Sequence, residues 1–98
     1  VSLVTLGVAD VRRATAFYVA LGWPLSSASV EGEVSFFRTQ GGLLGLWGTA
    51  ELVEESGAGP AANGFRGVSL SVNVESPAQV DAALAAAERA GGTVIRPA

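Results

Sequence analysis

Two passages of this chain share one plan. Val8-Ala9-Asp10 and Val74-Glu75-Ser76 stand at equivalent points of them, 66 residues apart in a sequence of 98. Each passage runs from an apolar, β-rich stretch to a helix-capping residue, then an amphipathic Ala-rich stretch, a glycine stop and a further extended stretch. A repeat of this kind constrains the fold more than any single segment does. Each copy is one supersecondary unit that must bury its apolar face against a neighbour.

The first passage is the more complete. VSLVTLGV (1–8) is rich in β-branched residues and predicts a strand. Side chains alternate across a strand, so Val4, Leu6 and Val8 share one face and Leu3, Thr5 and Gly7 the other. Asp10 is suited to the N-cap position. Val11, Ala14, Tyr18 and Leu21 then form one apolar helical stripe, and Gly22 supplies the stop. An extended stretch from Trp23-Pro24 to Val30 predicts a second strand, Glu31-Gly32 a turn, and Glu33–Thr39 a third strand. Gln40-Gly41-Gly42 predicts a hairpin turn leading to a fourth strand, Leu43–Trp47.

Gly48 to Gly64 is the least regular part. Thr49 is expected to cap a short helical turn over Glu51–Glu55, and SGAGPAANG (56–64) has the composition of a flexible linker. The pattern then resumes. FRGVSLSVNV (65–74) alternates, with Val68, Leu70, Val72 and Val74 on one face and Ser69, Ser71 and Asn73 on the other. Ser76 is the N-cap of the next helix, Pro77 takes its first position, and Gln79 completes a capping box. Val80, Ala83, Leu84 and Ala87 form the stripe, Gly91-Gly92 ends the helix, and Thr93–Arg96 predicts a strand. The reading is one α+β domain, 1–98, built of paired βαβββ modules: the first at 1–47, a linker at 48–64, and the second at 65–98, incomplete at its C-terminus. The absence of an initiating Met and the two strands missing from the second module lead us to expect a trimmed chain. The natural protein is expected to continue by about one hairpin of strands of ~5–6 residues.

Composition narrows the function. Charged residues are 15% and the net charge is −3, which argues against a nucleic-acid partner. The chain has no Cys, excluding disulfides, thiolate metal sites and Cys nucleophiles. It has no His, so the commonest metal ligand and general base are both missing. No apolar run approaches the ~20 residues of a membrane span. The expectation is a cytoplasmic protein with no membrane partner.

The opening VTLGVADVRRATAFYVALGW resembles the signature of the vicinal oxygen chelate superfamily, which includes glyoxalases, bleomycin-resistance proteins and extradiol dioxygenases. The shared features are the Asp10 cap, the Phe17-Tyr18 pair and the Leu21-Gly22 stop. VDAALAAAERAGGTVIRPA resembles the helix-then-GG segment of that family's second module. The resemblance covers nearly the whole chain. It implies a paired βαβββ fold whose strands curl around a cleft, and three metal-ligand positions here at Leu3, Gly45 and Ser69, with a fourth on a final strand that this sequence lacks. Leucine and glycine side chains offer no donor, so the family's metal chemistry is not carried over, and no cofactor is expected.

Strand parity points to what remains. Leu3 and Thr5 face away from the first helix, as do Leu43 and Trp47 on the fourth strand and Ser69, Ser71 and Asn73 in the second module. Ser35 and Phe37 are the expected inward pair on the third strand, with Phe36 as the alternative. The candidate ligand-binding set is therefore Leu3, Thr5, Phe37, Leu43, Trp47, Ser69, Ser71 and Asn73, a half-apolar, half-hydroxyl cleft able to stack a flat ligand. Trp47 and Phe37 also fit a plain core role, the two serines a solvated face, and Arg12-Arg13 a solvated helix face. No catalytic residue is assigned, because Asp10 and Glu75 are explained by capping and a strand end, and Tyr18 by the helix stripe. The leading expectation is metal-independent capture of a hydrophobic or aromatic small molecule by a homodimer. The alternatives are a lyase, isomerase or dioxygenase with decisive residues beyond Ala98, and an interaction module pairing through an open sheet edge.

Overall fold

The computed structural model describes residues 2–57 and 68–95. In chain order the elements are β1 (Leu3–Val8), α1 (Val11–Ala20), β2 (Val34–Thr39), β3 (Gly42–Gly48), α2 (Thr49–Ser56) and α3 (Pro77–Arg89). The architecture is α+β. The sheet has the order β1-β3-β2, with β1 parallel and β2 antiparallel to the central β3.

The start of the first module follows its sequence closely. The Asp10 carboxylate accepts a hydrogen bond from the Arg13 N–H at 3.1 Å and opens α1. Gly22 ends it with φ at +88°, a conformation that favours glycine. Val11 is buried, and Ala14 and Tyr18 pack with Leu6, Val8 and Trp23 on a core of Phe37, Leu44 and Leu46. Val8 and Leu6 thus face the same core as α1, as their parity predicts.

The second strand is reduced. From Trp23 to Val30 only two isolated bridges form, Leu25 to Phe37 and Val30 to Val34. Pro24 has no N–H to give a ladder and accepts from the Arg38 N–H instead. Ser29 Oγ takes the Phe36 N–H at 2.9 Å, a bond that a strand carbonyl would otherwise accept. These side-chain bonds compete with a regular ladder and leave an irregular edge beside β2.

Downstream, three expectations change. Helix α2 occupies Thr49–Ser56, longer than the turn expected over Glu51–Glu55, and its N-cap is Gly48 with no side-chain cap. Residues 68–74 carry no strand, and neither do Thr93 and Val94. Alternation selects faces but not a partner, and among the described residues no neighbouring strand pairs with 68–74. The remainder of those predicted strands (65–67 and Arg96) and linker residues 58–64 lie outside the described residues. Helix α3 is capped as expected at Ser76, whose Oγ accepts from the Gln79 N–H. Gln79 Oε1 reaches the N–H of Glu75 at 2.7 Å, one residue before the position a capping box would use.

Tyr18 provides an internal test of the core. It is half-buried, with ring centroids 5.0, 4.9 and 5.6 Å from those of Phe17, Trp23 and Phe37. Burial raises its phenol pKa above the ordinary value. It is the only tyrosine, and the chain has neither Lys nor Cys, so nothing else in the alkaline range obscures it. Above about pH 10 the unfolded chain loses this proton before the folded one does. Stability is full below that pH and falls as pH rises toward the raised folded pKa. Absorbance at 295 nm should titrate late in the folded protein, and denaturation midpoints should drop in parallel. A flat wild-type profile, or the same drop in Tyr18→Phe, would contradict this packing.

Candidate functional site

The sheet face turned away from α1 is built of three short rows across the three strands. Register places Val34, Trp47 and Gly7 in the first row, Phe36, Gly45 and Thr5 in the second, and Arg38, Leu43 and Leu3 in the third. Rows are ~7 Å apart along the strands and neighbouring strands ~4.8 Å apart across them. In the middle row Gly45 has no side chain of its own and is buried, covered by its neighbours. A Cβ there would lie 3.4 Å from Leu3 Cδ1, Phe36 Cε1 and Thr5 Oγ1, so these three groups converge around it.

Helix α2 closes the first-row end. A Cβ on Gly7 would come within 3.2 Å of Leu52 Cδ2 and 3.3 Å of Thr49 Oγ1. Only a residue without a side chain lets α2 sit this close to β1. At the third-row end a cavity of about 620 Å³ wraps the edge of the sheet. Arg38 and Leu43 border it from the floor side, Val4, Leu44 and Trp23 from the α1 side, and Ser71 and Asn73 from the segment before α3. A second open depression of similar volume lies at the N-terminus of α3, between Val74 and Asp81; it is separate from the sheet floor.

The sequence-predicted residues divide accordingly. Leu3, Thr5, Leu43 and Trp47 share the floor. Ser71 and Asn73 reach the cavity at its open end, and Ser69 is exposed away from that lining. Phe37 requires a correction. It is fully buried on the α1 side, against Tyr18, and the ring on the floor is that of Phe36. Ser35 turns with it: it is buried under α1, its Oγ 2.6 Å from Thr15 Oγ1, which donates to the Val11 carbonyl. The serine that looks suited to a polar cleft is satisfied by a helix hydroxyl. Sequence reading missed Arg38; its parity with Phe36 would have placed it on the floor once the face of Phe36 was known.

The donor set does not suit a metal. Of the three positions implied by the resemblance, Leu3 and Gly45 meet on the floor without a donor atom, and the third, Ser69, does not line the cavity. Among the described residues no group of three or more His, Cys, Asp or Glu side chains gathers to hold an ion. No chemical step is therefore routed through a metal. None of the nine floor positions carries a carboxylate. What the floor offers is apolar contact, one hydroxyl from Thr5, two aromatic rings and one guanidinium.

Comparison with known proteins agrees with this geometry. The family model described as Glyoxalase/Bleomycin resistance protein/Dioxygenase superfamily matches residues 1–98. A glyoxalase-related enzyme from Fulvimarina pelagi is similar at 27% identity and a TM-score of 0.84, over 99% of this chain and 68% of its own. A glyoxalase/bleomycin resistance protein/dioxygenase from Nocardioides is 25% identical with a TM-score of 0.71, over 98% of this chain and 64% of its own. A lactoylglutathione lyase from Agrobacterium tumefaciens, at 19% identity, TM-score 0.65, and coverage of 98% and 73%, shares the fold alone. No curated protein matches the chain.

Proposed function

The chain belongs to the glyoxalase/bleomycin resistance protein/dioxygenase superfamily, and we propose that within it the protein is a metal-independent binder that captures a small hydrophobic or aromatic molecule on the sheet floor. The observation that carries this reading is the cluster of Phe36, Leu3 and Thr5 that converges over the buried Gly45 and holds no metal-ligand side chain. A flat ring laid on this cluster meets two apolar groups and one hydroxyl. That is the mixture of many apolar contacts and few polar ones that small-molecule sites use. Capture would be stoichiometric. The exposed Val68, Leu70 and Val72 support its operating as a homodimer, since a second copy would cover apolar surface.

A thermal-shift screen of flat aromatic compounds, run with and without a chelator, tests the reading. Stabilisation by RT ln(1 + [L]/Kd), unchanged by the chelator, is the expected result. Stabilisation that requires added divalent metal, or none across the panel, would contradict it.

A further inference from the structure

The floor carries an asymmetry of charge that names its ligand more closely. Arg38 is its one cation, standing in the third row beside Leu43, and no floor position is acidic. Arg38 is exposed and borders the cavity, and among the described residues no carboxylate pairs with it. Its backbone is held firmly all the same. It is paired to Leu43 within the sheet, and its N–H donates to the Pro24 carbonyl at 3.3 Å. At the opposite end sits α2, which carries Glu51, Glu54 and Glu55. The floor thus runs from an acidic helix at one end to a lone guanidinium at the other, about two row spacings (~14 Å) away.

From this we infer that the ligand is an aromatic organic anion, lying with its ring on the Leu3, Phe36 and Thr5 side chains that cover Gly45 and its anionic group toward Arg38. The inference rests on the capture reading above and adds the class of molecule captured. A guanidinium presents a planar fork of donors matched to carboxylate or phosphate oxygens. The ~7 Å step from the second row to the third suits an anion carried about one ring-length from the stacked ring. Gln40, Ser71 and Asn73 border the same cavity and can donate further hydrogen bonds to such a group. A cationic ligand would face Arg38 at the open end with no floor carboxylate to offset it.

Three probes of the same ring test this by titration calorimetry: 1-naphthylacetate, its neutral amide 1-naphthylacetamide, and 1-naphthyl phosphate. An anion is expected to bind wild-type protein at least tenfold more tightly than the amide. The preference should weaken with added salt and fall to near unity in Arg38→Gln, whose melting temperature should stay close to wild type because the side chain is exposed. Tighter binding of the phosphate than of the acetate would assign the site to phosphate monoesters, and the reverse order to carboxylates; either supports the inference. Equal affinity for acid and amide, or a preference that survives Arg38→Gln, would overturn it while leaving the capture reading standing. Binding of none of the three would count against the capture reading itself, and the inference would fall with it.

Discussion

Replacing Phe37 with alanine should cost about 3–5 kcal/mol, the range for removing a buried aromatic side chain and leaving a cavity. Domains of this size are stable by only ~5–15 kcal/mol in total, so the variant should be largely unfolded or melt far below wild type. Phe37 is fully buried, beside Leu44 and Leu46, with Tyr18 above it. The neighbouring Phe36 is only half-buried and on the other face, so Phe36→Ala should cost roughly 1 kcal/mol, about half the value of burying a large apolar side chain. It should instead weaken ligand binding. Denaturant titration of the two variants, with ligand titration of the stable one, separates two adjacent phenylalanines into one core residue and one site residue. Equal loss of stability would mean that the assignment of faces is wrong.

Gly45→Leu is expected to do the converse. The added Cβ meets Leu3, Phe36 and Thr5 at ordinary contact distance, and a leucine in a strand interior is not intrinsically unfavourable. Gly45 is buried, so the rest of the leucine must displace these neighbours at a cost of about 1–3 kcal/mol, within what a domain of this size survives. Displacing Leu3, Phe36 and Thr5 would reshape the surface they form, and affinity for any ligand stacked on it should fall at least tenfold, about 1.4 kcal/mol. Calorimetric titration of the folded variant measures this. Unaltered affinity would place the ligand elsewhere.

Much of this arrangement was legible in the sequence, and the exceptions have physical causes. The Asp10 and Ser76 caps, the stripe through Val11, Ala14 and Tyr18, and the faces of β1 were readable because each depends on spacing within a few residues. So was the hairpin turn, read as Gln40-Gly41-Gly42, although Gly42 itself already pairs with Thr39 as the first residue of β3. The face of Phe36 against Phe37 was not. Two adjacent aromatics satisfy either parity, and Ser35 suggested the wrong one. Its hydroxyl suits a polar cleft, but Thr15, on a different element, partners it in the core. Position 15 and position 35 meet only after α1 has docked. The stretch at 68–74 failed in another way: its alternation is real, but a ladder needs a second strand, and the pattern carries no information about where that partner lies. Arg38 went unnoticed for a related reason. An arginine on a strand reads as a solvated residue until register sets it beside Leu43 and Leu3.

The central claim is that a small aromatic molecule sits on the floor around Gly45 without a metal. Amide chemical shifts of isotope-labelled protein, followed during titration of 1-naphthylacetate in excess chelator, address it most directly. The account predicts saturable shifts concentrated at Thr5, Phe36, Arg38, Leu43 and Gly45, with Phe37 and the α1 face little changed. Saturable shifts confined to the α3 end, or shifts at the floor that appear only after divalent metal is added back, would contradict it.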